Sequence, residues 1–365
     1  MRILLFSDLH GHNFRPYSDL LPGGRNSRLQ DTLNILAEIE EVCRNQAVEG
    51  VLFGGDTFHA RGTINVRAFN EVCQAMARIN IHVSFFGVLV GNHDQSDRTG
   101  IIYSTETFKS FLTVMDEPRW YSFGDALDVM AVPYHPDKAT LLAHLQGIAH
   151  AELKAPVSCL LGHFGISGGK VGSNFVLVSD FETSLSELPY EDFDQVFLGH
   201  YHLPQTLLPN VRFIGATHQH NWGDAEQERG CWLWDTEPDQ EFSTPTFTPL
   251  TSAPRFVSLP YDNVINPKVD ISVTNDFVRI VCPATLTADD WAEIASHVLS
   301  KGARRVEPWV EATQHAGKSN PNHAKFNPGV DFEDMIERYV EVTEHELSSA
   351  RLVEIGQSIL KEVSK

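Results

Sequence analysis

The sequence predicts an α+β fold with α/β-like character. Two β-sheets stack as a sandwich flanked by helices, and a small α+β module and two C-terminal helices follow. Three observations carry this expectation. Apolar strands and amphipathic helices alternate over residues 2–90, and short strands then crowd together between residues 128 and 234. Pro238, Pro245, Pro249 and Pro254 next interrupt the chain before a second, shorter run of strand, helix and strand. At roughly 150 residues per domain, the 365 residues allow about two domains with ample length for a core.

Taken in order, residues 2–6 are a continuous apolar run of strand length. Leu29, Leu33, Leu36, Ile39 and Val42 recur at spacings of three and four, which predicts a helix over 29–45. Residues 51–53 form a second strand ending in Gly54-Gly55, and Val66, Phe69, Val72 and Met76 stripe a helix over 65–79. Residues 82–90 read as a third strand ending at Gly91. Such alternation calls for partly parallel strands covered on both faces. Strands at 128–132, 158–161, 195–198, 211–214 and 230–234 supply the second sheet. Proline blocks both helix continuation and ladder donation, so a boundary falls within 237–254. Domains are therefore expected at 1–250 and 251–312, the latter with strands at 256–259, 277–282 and 304–310 and a helix over 288–300. Residues 313–330 have a linker composition, and helices are expected at 331–343 and 348–363. Met335, Ile336, Tyr339 and Val340 stripe the first of these, and Leu352, Ile355, Ile359 and Val363 the second. Ser348 or Ser349 can cap the second.

Composition narrows the function. With 42% hydrophobic and 21% charged residues the chain is ordinary for a soluble globular protein. Its net charge of −20 argues against a free-standing binder of nucleic acid, because such binding works by basic groups releasing counterions. A protein that meets phosphates through metal ions or a basic partner is not excluded. No apolar run approaches the roughly 20 residues needed to span a bilayer. The opening 1–6 resembles the start of a signal peptide, but Ser7-Asp8-Leu9-His10 ends it. Five cysteines stand singly, as reduced, buried thiols of a cytoplasmic protein do.

Five predicted strands end in polar clusters: Asp8-Leu9-His10, Gly54-Gly55-Asp56, Gly91-Asn92-His93-Asp94, Gly162-His163 and Gly199-His200-Tyr201-His202. Ligands of open α/β sheets bind beyond the carboxyl ends of strands, so these clusters can converge. Asp8 and His10, like His200 and His202, are spaced by two, which in extended chain points both members the same way. The imidazoles, carboxylates and single amide suit manganese, iron or zinc. Asp8, His10, Asp56, Asn92, His163, His200 and His202 are too many donors for one tetrahedral ion. They serve two ions if a carboxylate bridges, an arrangement that can clamp both oxygens of a phosphoryl displacement.

In this order, the motifs resemble those of the calcineurin-like metallophosphoesterase superfamily, over roughly residues 1–235. The resemblance implies that Asp8, His10, Asp56 and His202 hold one ion, and Asp56, Asn92, His163 and His200 the other, most simply as manganese. It implies that His93 assists the reaction without binding metal, and that Asp94 fixes the tautomer of His93. Within the superfamily the chain is most similar to the SbcD family of DNA-repair and recombination nucleases. Phe213-Ile214-Gly215-Ala216-Thr217, Asn221-Trp222-Gly223-Asp224 and Arg229-Gly230 carry that likeness, as do Gly302-Ala303-Arg304-Arg305-Val306-Glu307, Tyr339-Val340-Glu341 and Ile355-Gly356-Gln357. His59 stands where the family usually has Asp, and 15–28 reads as a local insertion.

That family implies an exonuclease or endonuclease acting on DNA with an SbcC-like coiled-coil ABC ATPase, a homodimeric state, a capping and DNA-binding module at 251–312, and partner binding through 331–365. Two other readings compete: a small-molecule or cyclic-nucleotide phosphodiesterase, and a non-catalytic scaffold. The charge favours the former, and the intact motif set opposes the latter. His12, His59 and His218 sit beside the motifs and either support the ligands from behind or, as the favoured reading, are solvated or structural, and His144, His297 and His345 read as surface or helix residues. Gly165–Gly172 with Lys170 is not a P-loop, because Phe164 occupies the first glycine position and Val171 replaces Ser/Thr. It reads as a mobile loop after His163.

Overall fold

The apolar run at the amino terminus becomes a central strand because both of its faces are covered. β1 (Arg2–Phe6) pairs in parallel with β2 (Gly50–Phe53) through α1 (Ser27–Asn45). β2 pairs with β3 (Phe85–Leu89) through α2 (Val66–Ile81), and β3 with β4 (Thr113–Met115). Leu4, Phe6, Val51, Phe53 and Val88 face Leu29, Ile35, Leu36 and Ile39 of α1 and Val72, Met76 and Ile79 of α2. Ile3, Leu5, Leu52 and Leu89, one residue out of phase, face the other way into the sandwich. Asn26 and Asn65 start the two helices, each side chain accepting from two orphan backbone N–H groups. This computed structural model describes residues 1–97, 100–147, 155–172, 175–236, 244–283, 285–310, 348 and 352–353.

The second sheet is built from β5 (Arg119–Phe123), β6 (Leu127–Val132), β7 (Ser158–His163), β8 (Gln195–Gly199), β9 (Gln205–Leu208) and β10 (Val211–Phe213). Its order is β5-β6-β7-β8-β10-β9, with α3 (Lys138–Gln146) between β6 and β7 in the chain. Val129, Ala131, Cys159, Leu161 and Phe197 pack against the inner face of the first sheet. Met130, Val132, Leu160, Val196 and Leu198 instead pack with Leu141 and Leu145 of α3. The chain then returns: β11 (Gly230–Asp235) lies antiparallel to β1, and β12 (Thr246–Pro249) closes that edge. The result is the expected α+β sandwich of two mixed sheets flanked by helices.

Several details differ from expectation. Residues 82–84 are not strand, because α2 runs to Ile81 and His82 caps it. β12 falls inside the proline-rich stretch. An edge strand tolerates Pro249 because it needs no donor on its outer side. β4, β5, β9, α3 and the short α4 were not evident from periodicity, being three to nine residues long. Residues 168–171 are tied to 175–177, with Gly168 N–H donating to Leu177 O, and Lys170 N–H donates to the Gln205 side chain, so this stretch after His163 is pinned.

After β12 comes a three-stranded sheet of β13 (Phe256–Pro260), β14 (Phe277–Cys282) and β15 (Arg305–Val310), all parallel. Parallel neighbours need crossovers, supplied by α4 (Tyr261–Ile265) and α5 (Ala288–Ser300). Val278, Ile280, Ile294 and Val298 form a core of its own. Met1–Glu311 nevertheless make one compact unit. Arg304 Nη1 donates to both oxygens of buried Asp31 at 2.9 Å. Arg28, also buried, lies 5.3–5.4 Å from the rings of Phe14, Phe256 and Phe277. Tyr17, from the 15–28 segment, bonds Glu307 at 3.1 Å and accepts from Trp222 Nε1 at 2.7 Å.

Ala312–Lys365 form a second unit. In it Leu352 N–H donates to Ser348 O at 3.2 Å. The linker expected at 313–330 and nearly all of the two helices expected at 331–343 and 348–363 lie outside the described residues. No described helix is long and apolar enough to cross a membrane.

Candidate metal centre

Asp8, Asp56, Asn92, His163 and His200 sit at or just past the ends of β1, β2, β3, β7 and β8, and the structure gathers them with His10 and His202. Donor atoms within 4.8 Å of one another define three sets: Asp8, His10 and His202; Asp8, Asp56 and His163; and His10, His59 and His93. His10 Nε2 lies 3.1 Å from His202 Nε2 and 3.6 Å from Asp56 Oδ2. Across the same carboxylate, Asp56 Oδ1 lies 3.4 Å from His163 Nε2. Asn92 Oδ1 lies 3.0 Å from that nitrogen and 2.9 Å from His200 Nδ1. Asp56 thus turns one oxygen toward each of two groups of donors.

The backbone that achieves this is left-handed, not extended. Asp8, His10, Asp56 and His200 have φ of 52°, 48°, 61° and 91°. The two-residue spacings therefore do not act through strand alternation, and this corrects that expectation. Left-handed φ costs an L-residue roughly 1–2 kcal/mol, so the surroundings must hold it. Asp8 N–H donates to Gly55 O at 2.9 Å, and His10 N–H to Asp56 O at 3.0 Å. His200 N–H donates to the Asp8 carboxylate at 3.2 Å. Gly91 is required by close approach, since a Cβ there would overlap the Asp56 carboxylate.

Asp94 does something other than expected. Its Oδ2 accepts from the N–H groups of Asp56 (2.9 Å) and Gly91 (3.0 Å), and its Oδ1 from Thr57 (2.9 Å). The His93 Nδ1 instead meets the carbonyl of His59 at 2.6 Å. A carbonyl only accepts, so Nδ1 carries the hydrogen and the tautomer is fixed by His59. Asp94 clamps the two loops together. His93 is partly buried, its own N–H donates to Asp56 Oδ1 at 2.7 Å, and its ring stacks on His59 at 5.3 Å.

Burial pushes His10 far down and His200 to about 3, leaving both imidazoles neutral, the form that offers a lone pair. His59, lowered by burial to about 4, is neutral too. Burial opposes charge on His163 as well, but Asp56 and Asp8 raise it to about 9. Burial alone would raise Asp56, yet His163, His10 and His93 hold it well below the carboxylate range. Asp94 is raised to about 7 by burial and by Asp56. Two buried carboxylates drawing positive charge onto their neighbours, ringed by neutral imidazoles and an amide oxygen, fit a pair of divalent cations.

One contributor was underweighted in the sequence reading and another was missed. His59 enters through its carbonyl, which no spacing reveals, although its place beside Gly-Asp was a signal. His220 is buried, and its Nε2 meets Asp8 O at 3.1 Å. Its spacing of two from His218 repeats that of the other pairs and could have marked it. His12 and His218 lie near, His12 against the rings of Phe14 and His59, and His218 against His220.

The model of the calcineurin-like phosphoesterase family matches residues 1–204. Among curated proteins the chain is 22% identical over 277 residues to a putative phosphoesterase of Invertebrate iridescent virus 6, covering 70% of this chain and 90% of that protein. It is 25% identical to exonuclease subunit 1 of Enterobacteria phage T4, covering 62% of this chain and 63% of the phage protein. It is also 22% identical to the SbcD component of the SbcCD nuclease of Staphylococcus saprophyticus, covering 69% of this chain and 72% of that protein. Among solved structures, purple acid phosphatase PPD1 of yellow lupin (Lupinus luteus) aligns with a TM-score of 0.41 and 15% identity, over 64% of this chain and 49% of that one.

Proposed function

The chain belongs to the calcineurin-like phosphoesterase family and is a metal-dependent phosphoester hydrolase, and from that premise we propose that it cleaves the phosphodiester bonds of DNA as the nuclease component of a repair or recombination complex. The observation that carries the reading is Asp56 facing two donor groups with His93 beside it. In this reading Asp8, His10, Asp56 and His202 hold one ion, and Asp56, Asn92, His163 and His200 the other, with manganese as the metal. Bound there, two such ions supply charge stabilisation for phosphoryl displacement and make hydroxide available at neutral pH. The protein's own part is positional. Asp94 keeps Asp56 and Gly91 in register, and His200 N–H orients the Asp8 carboxylate. His93 keeps Nδ1–H on His59 O in either protonation state, so only its imidazolium form would carry a proton on Nε2 to give to the departing oxygen.

The likeness to the phage exonuclease and to the SbcD component of SbcCD supports DNA as substrate and a multi-protein setting. The nuclease part spans 1–250, and 251–312 caps it and contributes DNA contacts. Beyond the 313–330 linker, 331–365 bind an SbcC-like coiled-coil ABC ATPase by helix-in-groove docking. That partner supplies the basic surface a chain of net charge −20 lacks, and the complex works as a homodimer in the cytoplasm. The charge favours one alternative, a small-molecule or cyclic-nucleotide phosphodiesterase. The test compares manganese-loaded protein on linear duplex DNA and on bis(p-nitrophenyl) phosphate, with and without the ATPase. Duplex cleavage stimulated by the ATPase is expected. Hydrolysis of the small ester alone, unchanged by the partner, overturns the nuclease reading. Deleting 331–365 should abolish ATPase binding while small-ester hydrolysis survives.

A further inference from the structure

His220 lies outside every motif that carries the metal reading, yet its Nε2 meets the carbonyl of Asp8 across 212 positions of sequence. Asp8 is one of the left-handed residues, and its peptide joins it to Leu9, which precedes the second left-handed residue, His10. Three N–H groups of this turn are engaged with the 55–57 loop: Asp8 with Gly55 O, His10 with Asp56 O, Gly11 with Thr57 O. The Asp8 carbonyl faces away from that loop pairing, to His220 Nε2 at 3.1 Å. A carbonyl can only accept, so the hydrogen sits on Nε2. The ring also lies 5.1 Å from His10 and 5.2 Å from His202, perpendicular to His10 at 88°.

His220 is itself fixed from both sides of its backbone. Its N–H donates to Asp224 Oδ2 at 2.8 Å, and Asp224 Oδ1 accepts from buried Arg229 at 2.9 Å while lying 3.9 Å from His202 Nδ1. Its carbonyl accepts from Arg28 at 3.1 Å. Arg28 is the residue packed against Phe256 and Phe277 of the small sheet. The imidazole is thus a rigid post between the seat of that sheet and the turn that presents Asp8 and His10.

We infer that His220 is a positioning residue of the metal centre: its Nε2–H holds the Asp8 peptide in the left-handed turn and so sets the placement of Asp8 and His10. This rests on the two-metal reading above. Truncating the post leaves a buried acceptor unpaired and frees a strained turn to relax. Outer partners that orient metal ligands typically contribute about 10–100-fold in metal affinity or activity.

The test measures manganese binding to the full chain by calorimetry and by electron paramagnetic resonance of the bound ions, alongside thermal unfolding of metal-free protein. His220→Leu, which fills the space without a donor, should weaken manganese binding by about 10–100-fold and alter the spectrum of the bound pair. His220→Gln, whose Nε2 can reach the same carbonyl, should recover most of the loss. If His220→Leu does not fold, His220→Asn replaces it, since its shorter amide stops short of Asp8. Leu (or Asn) and Gln variants that bind manganese equally well overturn the positioning role while leaving the two-metal reading intact. Wild-type protein that fails to bind two manganese ions overturns both.

Discussion

His93 and Asp94 are adjacent in sequence and perform opposite tasks. His93 is partly buried, anchored by its backbone to Asp56 and by Nδ1 to His59 O, and in the proposed reading it acts on the reaction path and not as a ligand. His93→Ala should therefore keep both manganese ions while turnover falls by about 10²–10⁴-fold, the usual worth of general acid–base assistance. Metal analysis together with kcat checks this, and loss of an ion would make His93 a ligand. Asp94 is fully enclosed, and its carboxylate collects three backbone N–H groups from two loops. Asp94→Ala strands all three at about 1–3 kcal/mol each, so the unfolding midpoint and manganese affinity should drop together. Asp94→Asn retains one acceptor oxygen and should lose less. A normal midpoint with impaired turnover in Asp94→Ala would instead return Asp94 to a role on His93.

Arg304, just before β15, meets α1 through an ion pair whose removal should be felt across the unit. Arg304 approaches Asp31 at 2.9 Å, where both side chains are largely buried, and Arg28 Nε stands 3.9 Å from the same carboxylate. Breaking a buried pair from one side costs about 3–5 kcal/mol. Arg304→Ala should fall near the low end because Arg28 still faces Asp31. Thr287 offers a control within the same module: it caps α5 by a reciprocal box with Asp290 on an exposed surface. Thr287→Ala should cost about 1 kcal/mol and leave the docking of the small sheet unchanged. Urea denaturation followed by tryptophan fluorescence separates the two, since Trp222 and Trp309 sandwich Arg279 at the docking seat, 3.9 and 4.2 Å from its guanidinium. Equal losses for the two variants would mean the ion pair adds nothing beyond local helix stability.

Over the whole molecule, cation binding and folding are linked. Asp8 and Asp56 are buried side by side next to His163, whose charged form they favour, and unfolding disperses them. A ligand that binds only the folded chain stabilises it by about 2.7 kcal/mol at a hundred times its Kd. Manganese should accordingly raise the unfolding midpoint, and chelation with EDTA should reverse the gain. A midpoint indifferent to manganese would mean that the folded chain does not collect the ion at this centre.

The chemistry was legible along the chain because it resides in short strings at strand ends: Asp8-Leu9-His10, Gly55-Asp56, Gly91-Asn92-His93-Asp94, His163, and His200-Tyr201-His202. So were the long helices and the doubly covered strands, whose packing imposes a period of 3.6 or a continuous apolar run. Short edge strands carry no such imprint: β4 spans three residues, and β12 ends in a proline. Folding alone established that Asp8, His10, Asp56 and His200 converge through left-handed turns, that Asp94 clamps loops, and that His59 and His220 reach the site. Each of these depends on a backbone conformation or on a hydrogen bond between residues 34 to 212 positions apart. A spacing rule sees which side chains are near along the chain. It has no access to which carbonyl a distant imidazole will meet once two sheets have packed.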